Sequence, residues 1–113
     1  MAVHAYTKRQ FKESGFDTTG YRMLTVNDLG DHYATLDSKR WGSRSMFVYL
    51  TLENGEKIVT PVFMSTDYFG FKEIPIGAIV DVGFDFSPRA RRPIMVDAEW
   101  MKQVSTIEEA ENL

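Results

Sequence analysis

Asn54-Gly55 sits between two apolar, alternating runs, residues 46–52 and 57–64. An Asn-Gly pair in that setting is the strongest short-range hairpin signal. A two-residue turn that matches strand twist needs positive φ at both positions, and Asn and Gly accept it. A hairpin centred there pairs Leu50 with Val59 and Met46 with Phe63. Phe47, Tyr49, Thr51, Ile58, Thr60 and Val62 then share the other face. Both faces are apolar or amphipathic, so one is core and the other is covered by something else.

A second hairpin follows. Val80, Val82, Phe84 and Phe86 alternate with Asp81, Gly83 and Asp85, and Ile94, Val96, Ala98 and Trp100 alternate with Met95, Asp97 and Glu99. Period two with one apolar row predicts strands with one buried face. Pro88 and Pro93 flank the connection, where pairing must stop. Earlier in the chain, residues 7–14 read as a short helix. Thr7 and Gln10 have capping-box spacing, Gly15 ends it, and Phe11 docks it on the body. Residues 21–26 read as a strand, 27–31 as a break, and 32–36 as renewed extended structure. Residues 66–73 form an aromatic-rich connection. Residues 103–113 are acidic, with Ser105 or Thr106 capping a short helix or the segment fraying as a tail.

About five strands, one or two short terminal helices and no βαβ alternation predict a mainly β fold. A small five-stranded antiparallel OB-like barrel ranks first, ahead of an SH3-like barrel and an open sheet. The 113 residues make one domain, 1–102, followed by an acidic tail, 103–113. With 43% apolar and 26% charged residues, the chain can bury a core. The absence of cysteine excludes disulfides, thiolate metal sites and a cysteine nucleophile. No apolar run nears the roughly 18 residues of a membrane span, and residues 1–10 lack a signal-peptide core. A cytoplasmic location without membrane contact is expected.

Catalysis and a cofactor are not expected. His4 and His32 are the only histidines, and no serine elbow or glycine-rich phosphate loop is present. Asp81, Asp85, Asp97 and Glu99 share a wet strand face that could hold a divalent ion. Outward carboxylates of this kind are ordinarily just solvated.

The net charge is −3, yet its distribution is uneven. Residues 38–44 (SKRWGSR) hold Lys39, Arg40 and Arg44 without an acid, and residues 87–93 (SPRARRP) hold Arg89, Arg91 and Arg92 likewise. The rest of the chain has seven basic against sixteen acidic residues. A phosphate backbone meets local potential rather than net charge. The first segment reads as a hairpin tip, with Trp41 available to stack on a base. Phe47 and Tyr49 share a face near Arg44, and aromatics beside cations are the usual single-strand platform. Tyr68, Phe69 and Phe71 read as a protein contact. The expected partner is therefore single-stranded DNA, with RNA served equally by this chemistry. The competing expectation is an assembly adaptor using the exposed aromatics and sheet edges.

The order of these features resembles the filamentous-phage single-stranded-DNA-binding proteins, which are small OB-fold dimers. Residues 38–44 resemble that family's basic wing, 46–64 its central hairpin and 79–101 its closing hairpin. The resemblance spans roughly residues 21–101. It implies a homodimer that coats single strands cooperatively during replication, with wing residues and sheet aromatics on the nucleotides. The longer N-terminal 20 residues and the three-arginine loop depart from the family pattern. The acidic C-terminus loosely resembles the tails by which bacterial single-strand binders recruit replication proteins. It lacks their aspartate-rich, phenylalanine-ended form.

Overall fold

A computed structural model of the chain describes residues 5–63, 68–87, 89 and 91–113. Five antiparallel strands form one sheet in the order β3-β2-β1-β4-β5, with β1 at Gly30–Trp41, β2 at Ser45–Leu52, β3 at Lys57–Phe63, β4 at Ile79–Phe86 and β5 at Pro93–Trp100. Three short helices accompany it: α1 (Lys8–Ser14), α2 (Tyr68–Glu73) and α3 (Ile107–Glu111). The sheet curls until β3 and β5 approach within 8 Å at Cα, but the two edges do not pair. The expected five-stranded antiparallel architecture is present, as a curled sheet that does not close into a barrel. Among the described residues, no helix is long and apolar enough to cross a membrane.

The concave face is the core. Ala34, Leu36, Val48, Leu50, Ile58, Val80 and Val82 are all fully enclosed there. Phe71 and Ile74, from α2 and just beyond it, plug one end of this core. The connection expected at 66–73 is thus partly helical and contributes to the interior. At the C-terminus, Thr106 caps α3 by accepting from the Glu109 amide at 3.1 Å, and Ala110 is buried. Residues 107–111 are therefore docked structure rather than a frayed end.

The central hairpin forms, but one residue out of the expected register. Leu50 pairs with Ile58 and Met46 with Val62. The cause is the turn. Gly55 alone has positive φ, at +84°, and its amide donates to the Leu52 carbonyl at 2.9 Å. Leu52 N donates to Glu56 O at 2.8 Å, closing a three-residue loop in place of a two-residue one. A one-residue shift exchanges faces. Ile58 and Val62 consequently face the core, opposite the expectation for them.

Two bulges also change the alternation. In β1, Leu36 pairs with Leu50 but Ser38 pairs with Tyr49, so Asp37 is the extra residue. In β5, Ala98 pairs with Val82 and Asp97 with Gly83, but Met95 pairs with Phe84, leaving Val96 extra. Met95 turns inward, and Val96 and Phe86, both expected inside, are exposed. Residues 21–26 make no strand. Arg22 forms a single bridge to Ile58, and a 3-10 turn follows at Val26–Asp28. Asp28 organises that turn from a buried position. It accepts from Arg22 at 2.8 and 3.0 Å and from the Thr25 amide at 2.8 Å. The Arg22 guanidinium holds this carboxyl below the usual aspartate range.

The N-terminal segment covers the convex face of β1 and β2. Its helix begins as expected: Thr7 and Gln10 exchange both capping-box hydrogen bonds, and Gly15 closes the helix at φ +75°. Tyr6 adds a parallel bridge beside Arg40. Phe11, Phe16 and Tyr21 each place a ring 5.3 Å from Tyr49, Phe11 stacked and the other two edge-on. This cluster supplies the second cover that the two apolar hairpin faces require. A seven-residue helix is not stable alone, so the ring contacts must hold it. Phe11→Ala is expected to lower unfolding free energy by about 2 kcal/mol, read as a fall in the urea midpoint at unchanged slope.

Candidate nucleic-acid interface

The Asp37 bulge decides where the first basic segment points. Ahead of it, the even-numbered residues of β1 face inward; beyond it, the odd-numbered ones do. Lys39 therefore lies opposite Val48 on the core side and is 0% exposed. Its Nζ donates to the Phe71 carbonyl at 2.5 Å and to the Ile74 carbonyl. These are carbonyls at the end of α2 that have no partner within the helix, and the positive charge meets the negative end of the helix dipole. Burial pushes the Lys39 ammonium down to about 8. Lys39 is thus withdrawn from the expected phosphate contacts by the fold itself. Trp41 pairs with Met46 on the same inward side and packs half-buried against the core.

Arg40 faces outward, opposite Phe47. Its guanidinium carbon stands 4.5 Å from the centroid of the Phe47 ring and 5.8 Å from that of Phe11. This stack leaves a planar cation on the convex face. Arg44 is exposed at the tip of the β1–β2 hairpin, where Gly42 N donates to Ser45 O at 2.8 Å. The segment is a tight hairpin end rather than an extended wing. Gly42 has no room for a side chain: a Cβ there would meet Phe47 Cε2 and Ser45 O, both at 2.7 Å. Tyr49, expected as a stacking surface, is only 6% exposed beneath Phe11, Phe16 and Tyr21.

The docked helix brings cations that the reading of the basic loops missed. Lys8, Arg9 and Lys12 are exposed on α1, the helix that carries Phe11 against Arg40. Arg9 pairs with Glu13 at 3.1 Å, an exposed contact of little energetic weight. The signal was present in sequence. Once Phe11 is assigned to the sheet face, the helix that carries these basic residues must lie on that face.

Arg89, Arg91 and Arg92 are also exposed, but elsewhere. Gly30, the first residue of β1, pairs with Phe84 near the end of β4, and Thr35 pairs with Ile79 at its start. The β4–β5 loop thus lies beyond the N-terminal end of β1, and the β1–β2 tip beyond its C-terminal end. Residues 30–37 of β1 run between the two basic segments. They do not line one groove.

The outer face between them is acidic. Asp31, Gly83 and Asp97 form one cross-strand row, and Tyr33, Asp81 and Glu99 the next. Burial raises the Asp81 pKa, and the neighbouring Asp31, Glu99 and Asp97 carboxylates raise it further. Among the described residues, no group of three or more histidines and acids is arranged to hold a metal ion. His32 is committed to local contacts, with Nδ1 2.9 Å from Glu53 Oε1 and Nε2 2.7 Å from Asp28 O. Of the expected protein-contact aromatics, Phe71 is 0% exposed in the core, and the side chains of Tyr68 and Phe69 lie outside the described residues. Comparison with protein-family models, curated proteins and solved structures finds no match to this chain.

Lys39 generates a pH test. The folded chain releases its proton near pH 8, while the unfolded chain keeps it to about pH 10.4. Below 8 the full cost of burying the charge is present; between 8 and 10.4 the unfolded state binds more protons, so stability rises with pH. A neutral amine retains two N–H groups for the two carbonyls. In guanidinium melts from pH 7 to 10, the wild type is expected to gain up to about 3 kcal/mol relative to Lys39→Met.

Proposed function

We propose that this domain is a non-catalytic binder of single-stranded DNA, acting by coating exposed strands during replication. The observation that carries the reading is the Arg40–Phe47 stack on the convex face, with exposed Arg44 at the adjoining hairpin tip and exposed Lys8, Arg9 and Lys12 on the docked helix. Lysine and arginine neutralise phosphates, and counterion release supplies much of the affinity. A flat guanidinium held beside aromatic rings can pair with a phosphate and stack on a base, which serves every sequence. A duplex buries its base faces, so this pairing of stacking surface and cations suits single strands best. RNA offers the same bases and phosphates, and the site has no feature chosen for a 2′-hydroxyl. The adaptor reading relied on sheet edges and on Tyr68, Phe69 and Phe71, and enclosure of Phe71 in the core removes one of those three aromatics.

Titration of labelled oligo-dT, followed by fluorescence anisotropy across a range of salt, tests the reading. Affinity should fall with salt at a log–log slope of about −0.7 per phosphate neutralised. Arg44→Ala should make the slope shallower by about 0.7. Arg40→Ala should do the same and also weaken binding at every salt concentration, through loss of a base contact worth about 1–3 kcal/mol. Absence of any salt-sensitive complex at low ionic strength overturns the proposal.

A further inference from the structure

The β4–β5 hairpin tip repeats the chemistry of the first site at the far end of the sheet. Arg89, Arg91 and Arg92 are exposed, and among the described residues none of them is held in an ion pair. Phe86, at the base of the same loop, is 43% exposed, and Val96 on the adjoining strand is 45% exposed. Most phenylalanines in a small fold are enclosed. Here one stands open at the base of a loop that carries three cations, residue types that together hold a nucleotide by its phosphate and its base face.

A single continuous strand does not reach both sites easily. Between them lie residues 30–37 of β1 and the acidic rows formed by Asp31, Asp81, Asp97 and Glu99. A phosphate backbone crossing that face would be repelled rather than neutralised at each step. The two sites are therefore separate.

We infer that Phe86, Arg89, Arg91 and Arg92 form a second single-strand site, and that one chain holds two strand segments at once, one at each end of its sheet. The inference rests on the proposed function of the Arg40–Phe47 surface and adds a bridging activity to it. The ligand at both sites is the same: a few nucleotides of single-stranded nucleic acid, taken without sequence preference. The arginine loop binds it by guanidinium–phosphate pairs, with Phe86 under a base.

Two dT oligonucleotides of about 10 nucleotides, a length one small domain covers, carry donor and acceptor dyes. Full-length protein is added at low salt, and strands per chain are counted by light scattering. The wild type should bind two strands per chain and give energy transfer between them, declining once protein is in excess. The variant R89S/R91S/R92S changes only exposed loop residues, and circular dichroism checks its fold. It should bind one strand per chain, lose at least tenfold of the energy transfer, and keep the affinity of the remaining site. R40A/R44A should lose the other strand. One strand per wild-type chain, or undiminished two-strand binding by R89S/R91S/R92S, overturns the second site while leaving the proposed function intact. Absence of any binding by the wild type overturns both.

Discussion

The bulge at Asp37 is the point on which the rest of the molecule turns. One extra residue in β1 exchanges the two faces of the strand beyond it. Without it, Ser38 and Arg40 would enter the core while Lys39 and Trp41 stood outside. The bulge is held by two hydroxyl donors on a single carboxylate oxygen: Tyr21 Oη at 2.7 Å and Thr51 Oγ1 at 2.6 Å, both on Asp37 Oδ2. Burial and this carboxylate raise the Tyr21 phenol well above its ordinary range, so it remains a donor. Tyr21 also completes the ring cluster over Tyr49. One small irregularity thus fixes the inward lysine, the outward arginine and the seat of the N-terminal segment.

Local signals in the sequence were readable where a short stretch determines its own geometry. The Thr7–Gln10 capping box, the Gly15 stop, the β2–β3 and β4–β5 hairpins and the Thr106 cap all follow from neighbouring residues. What was hidden depends on counting across a bulge. A run such as Asp37-Ser38-Lys39-Arg40-Trp41 looks like a solvated loop, because no periodicity announces that Lys39 enters the core. Its burial is tolerated only because the end of α2 presents two carbonyls, and that partner lies more than thirty residues away. Val96 failed the alternation for the same reason. The Asn54-Gly55 turn shows a finer limit: the residue pair located the turn, but loop length set the register.

Charge is sorted by the fold rather than by the chain. Lys8, Arg9 and Lys12 lie far from Arg40 in sequence, and their helix is brought to the same face of the sheet because Phe11 docks on Tyr49. The two basic loops look equivalent in sequence and are separated because β1 and β4 are antiparallel. The acidic rows on β1, β4 and β5 give the domain a negative flank between two ends that carry exposed cations. A net charge of −3 is the sum of these regions and describes none of them.

The roof over Tyr49 has a consequence for the history of each molecule. Residues 6–22 precede every strand of the sheet in the chain, yet the sheet partners they cover, Arg40, Tyr49 and Ile58 among them, come together only when β1, β2 and the first part of β3 have paired. The roof therefore settles on a sheet that is already built, and a partially folded chain lacks the docked helix and its exposed cations on the convex face.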